Sequence, residues 1–369
     1  MKILYVTTIG STMGFFYEHF KMLMKNGCEI ELACGNAKPI SEKIASLRLP
    51  LHTLSFSRSP VSKDNLIAYK QLKKLIETGN YDIVHCHTPN ASVITRLVCR
   101  KFRKENGLKV FYTAHGFHFY KGAPKLNWIL YYSIEKFCSR FTDKLITINT
   151  EDYKLAKKRF KAKEIHYCPG VGIDLSRFKD VDVDRSAKRD EIGVPKESKL
   201  LLSVGELNEN KNHQVIIRAL AKLNDANIHY VIAGIGNKMN FLLDLAKELC
   251  VEEQVHLLGF RKDIPEINHI SDVFCFPSKR EGLGLVAIEA MSSGLPIITS
   301  NVHGINDYSV DGVTGYACNP VDVNCFAEAI SKLISDPKTS KEIGRENIQR
   351  AKKYSVSNIL EIMREIYEL

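Results

Sequence analysis

The chain has 369 residues, too many for one ordinary hydrophobic core and suited to two domains. Its 44% hydrophobic and 25% charged residues exclude a disordered or fibrous protein, and no apolar run approaches the ~20 residues of a membrane span. The net charge of +10 is unevenly placed: residues 1–180 hold 30 Lys and Arg against 15 Asp and Glu, residues 181–369 hold 22 against 27. A basic half suggests an anionic partner. Nucleic-acid motifs are absent, so an anionic membrane surface or a lipid diphosphate fits better. Residues 1–8 read as a strand without a cleavage site, so no signal peptide is expected. The ten cysteines lack CxxC spacing and read as reduced residues of a cytosolic core.

Residues 3–8 form the first expected strand, followed by a loop carrying Gly10 and Gly14. Residues 15–25 have helical spacing and end at Asn26-Gly27, and 28–33 form the next strand. Strand, glycine loop, helix, strand is the opening of a parallel βαβ unit. Further strands are expected at 51–56, 81–87, 110–113 and 144–150, with helices at 65–77, 91–104 and 151–161. Arg58, beside Pro60 in a loop, either holds a phosphate or sits exposed. His85 and His87 share one strand face, but no third ligand is spaced for zinc. The strand at 110–113 delivers His115-Gly116-Phe117-His118-Phe119-Tyr120, where a strand-end His can reach into a cleft. The bland reading of His115 is a buried, hydrogen-bonded imidazole. Residues 128–141 mix aromatics with Lys136 and Arg140, a membrane-interface segment or a core helix with a solvated edge.

Residues 179–199 are polar and read as a linker. The pattern then restarts: strand 200–204, loop 205–213, helix 214–223, strand 228–233, helix 240–250 and strand 255–258. Two such βα halves facing one another give a cleft. The strand at 273–277 feeds Ser278 to Pro296, where Gly282 and Gly284 open a turn onto a helix. A glycine loop emptying onto a helix N-terminus suits a phosphate. Glu281 and Glu289 bracket it; eight residues at roughly 100° each bring them to one helix face, ~12 Å apart. Strand 296–300 and helices 327–334 and 338–369 complete the chain.

The stretch Glu281-Gly282-Leu283-Gly284 through Glu289 resembles the Glu-x7-Glu signature of retaining glycosyltransferases of the GT-B fold, family 4. The resemblance covers essentially the whole chain, and His115-Gly116 is similar to the strand-end pair of its capsule and exopolysaccharide members. It implies an α/β fold of two facing doubly wound Rossmann-like domains, with the last helix crossing back to the first. The expected division is an acceptor-side domain 1–178, a linker 179–199, a nucleotide-sugar domain 200–350 and a returning helix 351–369. It also implies that Glu281 faces the donor hexose, Glu289 binds the ribose and His115 lies beside the sugar. The Gly205–Lys211 loop resembles the family's diphosphate loop, which carries an Arg and a Lys. Lys211 is present, but Glu206 stands where the Arg is expected, so Arg261 or Arg280 would supply the missing charge. Gly14 would border the donor, and Arg58, Phe117 and His118 the acceptor. The run Asp180-Val181-Asp182-Val183-Asp184 contains an Asp-x-Asp similar to a metal signature of another glycosyltransferase fold, and its place in a polar linker argues against that role.

The implied activity is transfer, with retention, of a hexose or N-acetylhexosamine from a UDP-sugar to a polyprenyl-diphosphate-linked saccharide in surface polysaccharide synthesis. Lys211 and the backbone N–H groups of Gly282, Leu283 and Gly284 would stabilise the departing diphosphate without a metal. No cofactor and no nucleic acid is expected. The enzyme would sit in the cytoplasm, peripherally on the inner face of the plasma membrane. A nucleotide-sugar 2-epimerase of the same fold, or a non-catalytic partner in a polysaccharide assembly complex, is the alternative.

Overall fold

The computed structural model describes residues 1–369 and divides into two units, Met1–Gly172 with Val356–Leu369, and Ile173–Ser355. In the first unit β1 (Lys2–Thr7), α1 (Tyr17–Lys25), β2 (Glu29–Cys34), α2 (Glu42–Ala45), β3 (Leu51–Thr53), α3 (Asp64–Gly79), β4 (Ile83–His87) and α4 (Pro89–Glu105) come first. They are followed by β5 (Lys109–Ala114), α5 (Lys125–Cys138), β6 (Lys144–Thr147), α6 (Thr150–Arg159) and β7 (Glu164–Tyr167). The seven strands pair in parallel in the order β3-β2-β1-β4-β5-β6-β7. Helices cover both faces, so β1 reads as the unbroken apolar run Ile3-Leu4-Tyr5-Val6, all buried. On one face Leu72, Ile76, Val98 and Phe102 from α3 and α4 pack on Leu4, Val84 and Val110.

One buried ion pair ties α4 to α5: Arg96 Nη1 donates to Glu135 Oε2 at 2.8 Å, and the guanidinium lies 4.2 Å from the Tyr112 ring centre. A charge pair out of water holds only with further hydrogen bonds, and Arg96 also donates to the Ser92 carbonyl at 3.0 Å.

The second unit contains α7 (Arg185–Glu191), β8 (Lys199–Val204), α8 (Gln214–Leu223), β9 (Ile228–Ala233), α9 (Met239–Glu248), β10 (Val255–Gly259), α10 (Ile264–Ile270) and β11 (Val273–Phe276). It continues through α11 (Leu285–Ser292), β12 (Ile297–Ser300), β13 (Gly315–Cys318), α12 (Val323–Ser335) and α13 (Pro337–Ala351). Its six parallel strands are ordered β10-β9-β8-β11-β12-β13. The strand order changes direction at β8, whose C-terminal end therefore lies at a switch point beside that of β11.

Residues 179–199, expected as a linker, carry α7. Asp184 caps it, its carboxylate accepting from the Ala187 N–H at 3.0 Å. This places the last aspartate of the Asp-x-Asp run in a structural role. Arg189 of α7 is buried and donates to the carbonyls of Ser198, Lys196 and Ile270 at 2.6, 2.8 and 3.0 Å. Those bonds make α7 a part of the second unit.

The helical stretch expected over 338–369, with a returning helix from 351, is two helices, and the second starts at Val356. After α13, Ser355 is extended (φ −63°, ψ 147°), and buried Tyr354 anchors the break, its hydroxyl donating to the Asp307 carbonyl at 3.2 Å. The final helix, α14 (Val356–Tyr367), belongs to the first unit, where Ile359, Met363, Ile366 and Tyr367 join Phe16, Phe20 and Leu23 in a core layer. Eight cysteines are free and seven of them buried, but Cys318 and Cys325 form a disulfide, contrary to the all-reduced expectation. Its local cause is geometric: β13 ends and α12 begins with the two Cα atoms 5.7 Å apart.

Candidate active site

In the second unit the loops after β8 and β11 are joined at the C-terminal edge of the sheet. The Asn210 side chain donates to the Arg280 carbonyl at 2.9 Å, and the Lys279 N–H donates to the Asn210 carbonyl at 2.8 Å. Asn212, with φ +56°, donates to the Pro277 carbonyl at 3.1 Å and the Pro320 carbonyl at 2.8 Å. These bonds bring Lys211 Nζ to 2.7 Å from Glu281 Oε1 and 4.9 Å from the Phe276 ring centre. Both charged groups are partly buried, so the pair is better shielded than a surface salt bridge.

Glu281 lies in the loop, not on the helix. Gly284 precedes α11 in the left-handed region (φ +88°), where a Cβ would stand 2.5 Å from the Phe276 ring and 3.0 Å from the Tyr308 hydroxyl. The expected ~12 Å helical rise between the two glutamates is therefore replaced by a bend, because helical rise holds only within the helix. Gly304, on the loop after β12, packs so closely that a Cβ would meet the Gly282 carbonyl at 1.9 Å; its N–H donates to the Glu281 carbonyl at 3.2 Å. The N-cap of α11 is Gly284, which has no side chain to cap the helix start.

Glu289 is on the first turns of α11 and half-buried, with no hydrogen-bonding side chain on its carboxylate. Burial raises its carboxyl above the usual range, and Arg177 partly offsets this. Glu206 is exposed and accepts from the Asn208 side chain at 3.0 Å. Arg261 does not supply the charge missing there: it donates to Asp263 at 2.8 Å and pairs with Glu191, which commits its guanidinium to carboxylates around α7. Arg280 sits at the loop junction through its carbonyl.

In the first unit His115 follows β5 and is half-buried, its Nε2 3.2 Å from His87 Nδ1. Burial lowers its basicity to about 4, with His19 adding to the shift. Phe117, expected on an acceptor-facing rim, is a core residue. It is 2% exposed, stacks on Phe119 at 4.8 Å, and its N–H donates to the Asp152 carboxylate at 2.9 Å. His118 is half-buried against Tyr131 (4.9 Å), and Arg58 is exposed with its carbonyl bound by Asn90. Gly14 lies in the 3₁₀ turn Gly10–Phe16, where a Cβ would meet only Ser41 Oγ at 3.7 Å. His85 is held between the Tyr367 hydroxyl (2.5 Å) and Thr113 Oγ1 (2.8 Å), so both its ring nitrogens are taken by protein partners.

Sequence reasoning missed Asn210, Asn212, Gly304 and Tyr308. The run Asn208-Glu209-Asn210-Lys211-Asn212 carried a signal, since Asn tolerates left-handed backbone and bridges loops. Tyr308 carried none.

Residues 184–350 match the family described as glycosyl transferases group 1, and residues 2–149 match glycosyl transferase 4-like. The chain is 36% identical to the putative glycosyltransferase EpsD of Bacillus subtilis (strain 168), over 99% of this chain and 96% of that one. It is 29% identical, over 86% and 83%, to an Escherichia coli enzyme named UDP-Gal:alpha-D-GlcNAc-diphosphoundecaprenol alpha-1,3-galactosyltransferase. The structure of Anabaena Alr3699/HepE in complex with UDP superposes with a TM-score of 0.81 at 20% identity over 100% of both chains. WaaG, a glycosyltransferase involved in lipopolysaccharide biosynthesis, does so with 0.77 at 18% over 99% of both. These neighbours share the GT-B fold, and the chain belongs to the group 1, family 4-like glycosyltransferases.

Proposed function

We propose that this glycosyltransferase moves a hexose or N-acetylhexosamine, with retention of configuration, from a UDP-sugar to a polyprenyl-diphosphate-linked saccharide in surface polysaccharide synthesis. The observation that carries the reading is the Lys211–Glu281 pair, seated at 2.7 Å beside an uncapped helix N-terminus. Negative charge grows on the departing diphosphate, and a fixed cation with oriented N–H groups stabilises it where it develops. In this reading Lys211, Gly282, Leu283 and Gly284 meet the diphosphate and Glu281 the hexose hydroxyls. Glu289 meets the ribose, and His115 the transferred sugar. No metal is required for the charge balance, and activity should survive EDTA. The acceptor class follows the E. coli relative's name.

A lipid-borne acceptor implies a bilayer partner, and we assign it to α5. Leu126, Ile129, Leu130, Ile134 and Phe137 form an exposed apolar stripe on that helix, while Trp128, Tyr132 and Glu135 face inward. Lys125, Lys136 and Arg140 flank the stripe. An anionic lipid surface satisfies both features, roughly 1 kcal/mol per nearby cation plus the apolar insertion. A second copy would set these cations against their own equivalents. No helix is long and apolar enough to cross a membrane.

The test is incubation with a panel of UDP-sugars, with and without a polyprenyl-diphosphate sugar, scoring UDP release and product anomer. Acceptor-dependent UDP release with a retained anomer is expected. Epimerised UDP-sugar without acceptor, or no turnover with any donor, would replace the reading by one of its alternatives.

A further inference from the structure

Four imidazoles gather beneath the C-terminal edge of the first unit's sheet. His85 and His87 share one face of β4, His115 follows β5, and His19 comes from α1. The His85 and His87 rings lie 4.2 Å apart, Phe16 lies 4.2 Å from His87, and Tyr5 stacks on His87 at 5.3 Å with 16° between planes. His85 is held at both ring nitrogens by Tyr367 and Thr113, and His19 Nε2 bonds the Val171 carbonyl at 3.0 Å. His87 is different. Its Nδ1 meets His115 Nε2, and its Nε2 is buried with no partner.

We propose that His87 is a positioning residue for His115, fixing its ring and tautomer so that Nδ1 is the nitrogen left to meet the sugar. This rests on the proposed role of His115. The geometry supplies the reasons. A neutral imidazole has one N–H and one bare nitrogen, so the direction of the bond at Nε2 sets the other atom: Nδ1 carries the proton if Nε2 accepts from His87 and is bare if Nε2 donates to it. His87 is itself clamped between Tyr5 and Phe16 and cannot turn to another partner. Its 1% exposure keeps water from competing for the bond. His115 has no other protein partner for its ring nitrogens, so His87 alone defines their roles. Burial lowers the basicity of all four rings, which favours the neutral forms this arrangement needs.

The experiment combines ¹⁵N spectroscopy of histidine-labelled protein with kinetics of three variants, using the best donor from the panel. In the wild type His115 should show two well-separated ring-nitrogen shifts, those of one tautomer. His87→Phe fills the space without a hydrogen bond; the His115 shifts should average, and kcat should fall about tenfold or more with KM for the donor little changed. His87→Gln offers an amide at the same edge and should restore a single tautomer and most of kcat. Mixed tautomers in the wild type, wild-type kcat in His87→Phe, or equal losses in the Phe and Gln variants would overturn the proposal. His115→Ala separates the two layers. If it retains wild-type turnover, the role of His115 itself is wrong and His87 goes with it. If it abolishes turnover while His87→Phe does not, only the positioning role fails.

Discussion

The two units end their sheets in opposite chemistry. At the edge of the second unit's sheet, glycines bring backbone close, a helix start is left uncapped, and a lysine faces a glutamate. At the edge of the first, neutral imidazoles and aromatic rings fill the corresponding strand ends, with no ion pair among them. The same α/β layering thus builds a place for charge in one half and a place for uncharged hydrogen bonding in the other. A phosphate needs the former; a sugar ring, with hydroxyls and apolar faces, suits the latter.

The largest effect expected from breaking this comparison is structural. Glu135→Ala leaves Arg96 charged and unpaired in the first unit, and should destabilise that unit by about 3–5 kcal/mol. Urea unfolding followed by intrinsic fluorescence would measure it, and UDP affinity at low urea should be unchanged. A loss of UDP binding in the folded variant would show that the two edges are not independent. In the second unit, Lys211→Ala should lower kcat by about 10²–10³-fold while the fold persists by circular dichroism, the magnitude typical of one removed transition-state donor. Turnover within threefold of wild type would remove Lys211 from the chemistry. Glu289→Ala should weaken UDP binding by about 1.5–3 kcal/mol, the range for hydrogen bonds to a charged group, read by calorimetry.

The smallest effect is acid lability. Burial holds His19, His85, His87 and His115 below the ordinary histidine range. The unfolded chain therefore takes up protons near pH 6.5 that the folded one refuses, so stability is complete above about pH 6.5 and falls as pH drops below it. The Tm should decline from pH 7 to pH 5. Glu31 acts later: burial opposes its ionisation, but hydrogen bonds from Lys2, Tyr81 and His52 hold its carboxyl at about 2. Its share of stability is present above about pH 4.5 and lost only as pH falls toward 2. A flat Tm between pH 7 and pH 5 would mean that the imidazoles are hydrated in solution.

Much of the second unit's site was legible because glycine spacing, a strand end and two acids are local in sequence. Phe117 was misread because a Phe between two histidines looks the same whether it faces a ligand or Phe119. Arg261 was misread because its partner Glu191 lies on a helix in a stretch that looked like a linker. A separate returning helix was expected from the resemblance, but its start at Val356 was not legible, because residues 338–369 keep helical spacing across the turn at buried Tyr354 and extended Ser355. Each miss is tertiary, decided by a partner far along the chain.

The return of α14 to the first unit has a consequence for how the protein is made. Synthesis runs from N- to C-terminus, yet Tyr367, whose hydroxyl bonds both Tyr5 and His85, is added only after the whole second unit. The first unit therefore emerges with one core layer open, and must wait while the whole second unit is translated, on the order of tens of seconds at about 5–20 residues per second. During that interval Phe16, Phe20 and Leu23 lack their covering helix. A ribosome stalled before residue 356 would hold a nascent chain whose later half can fold and whose earlier half is a target for chaperones.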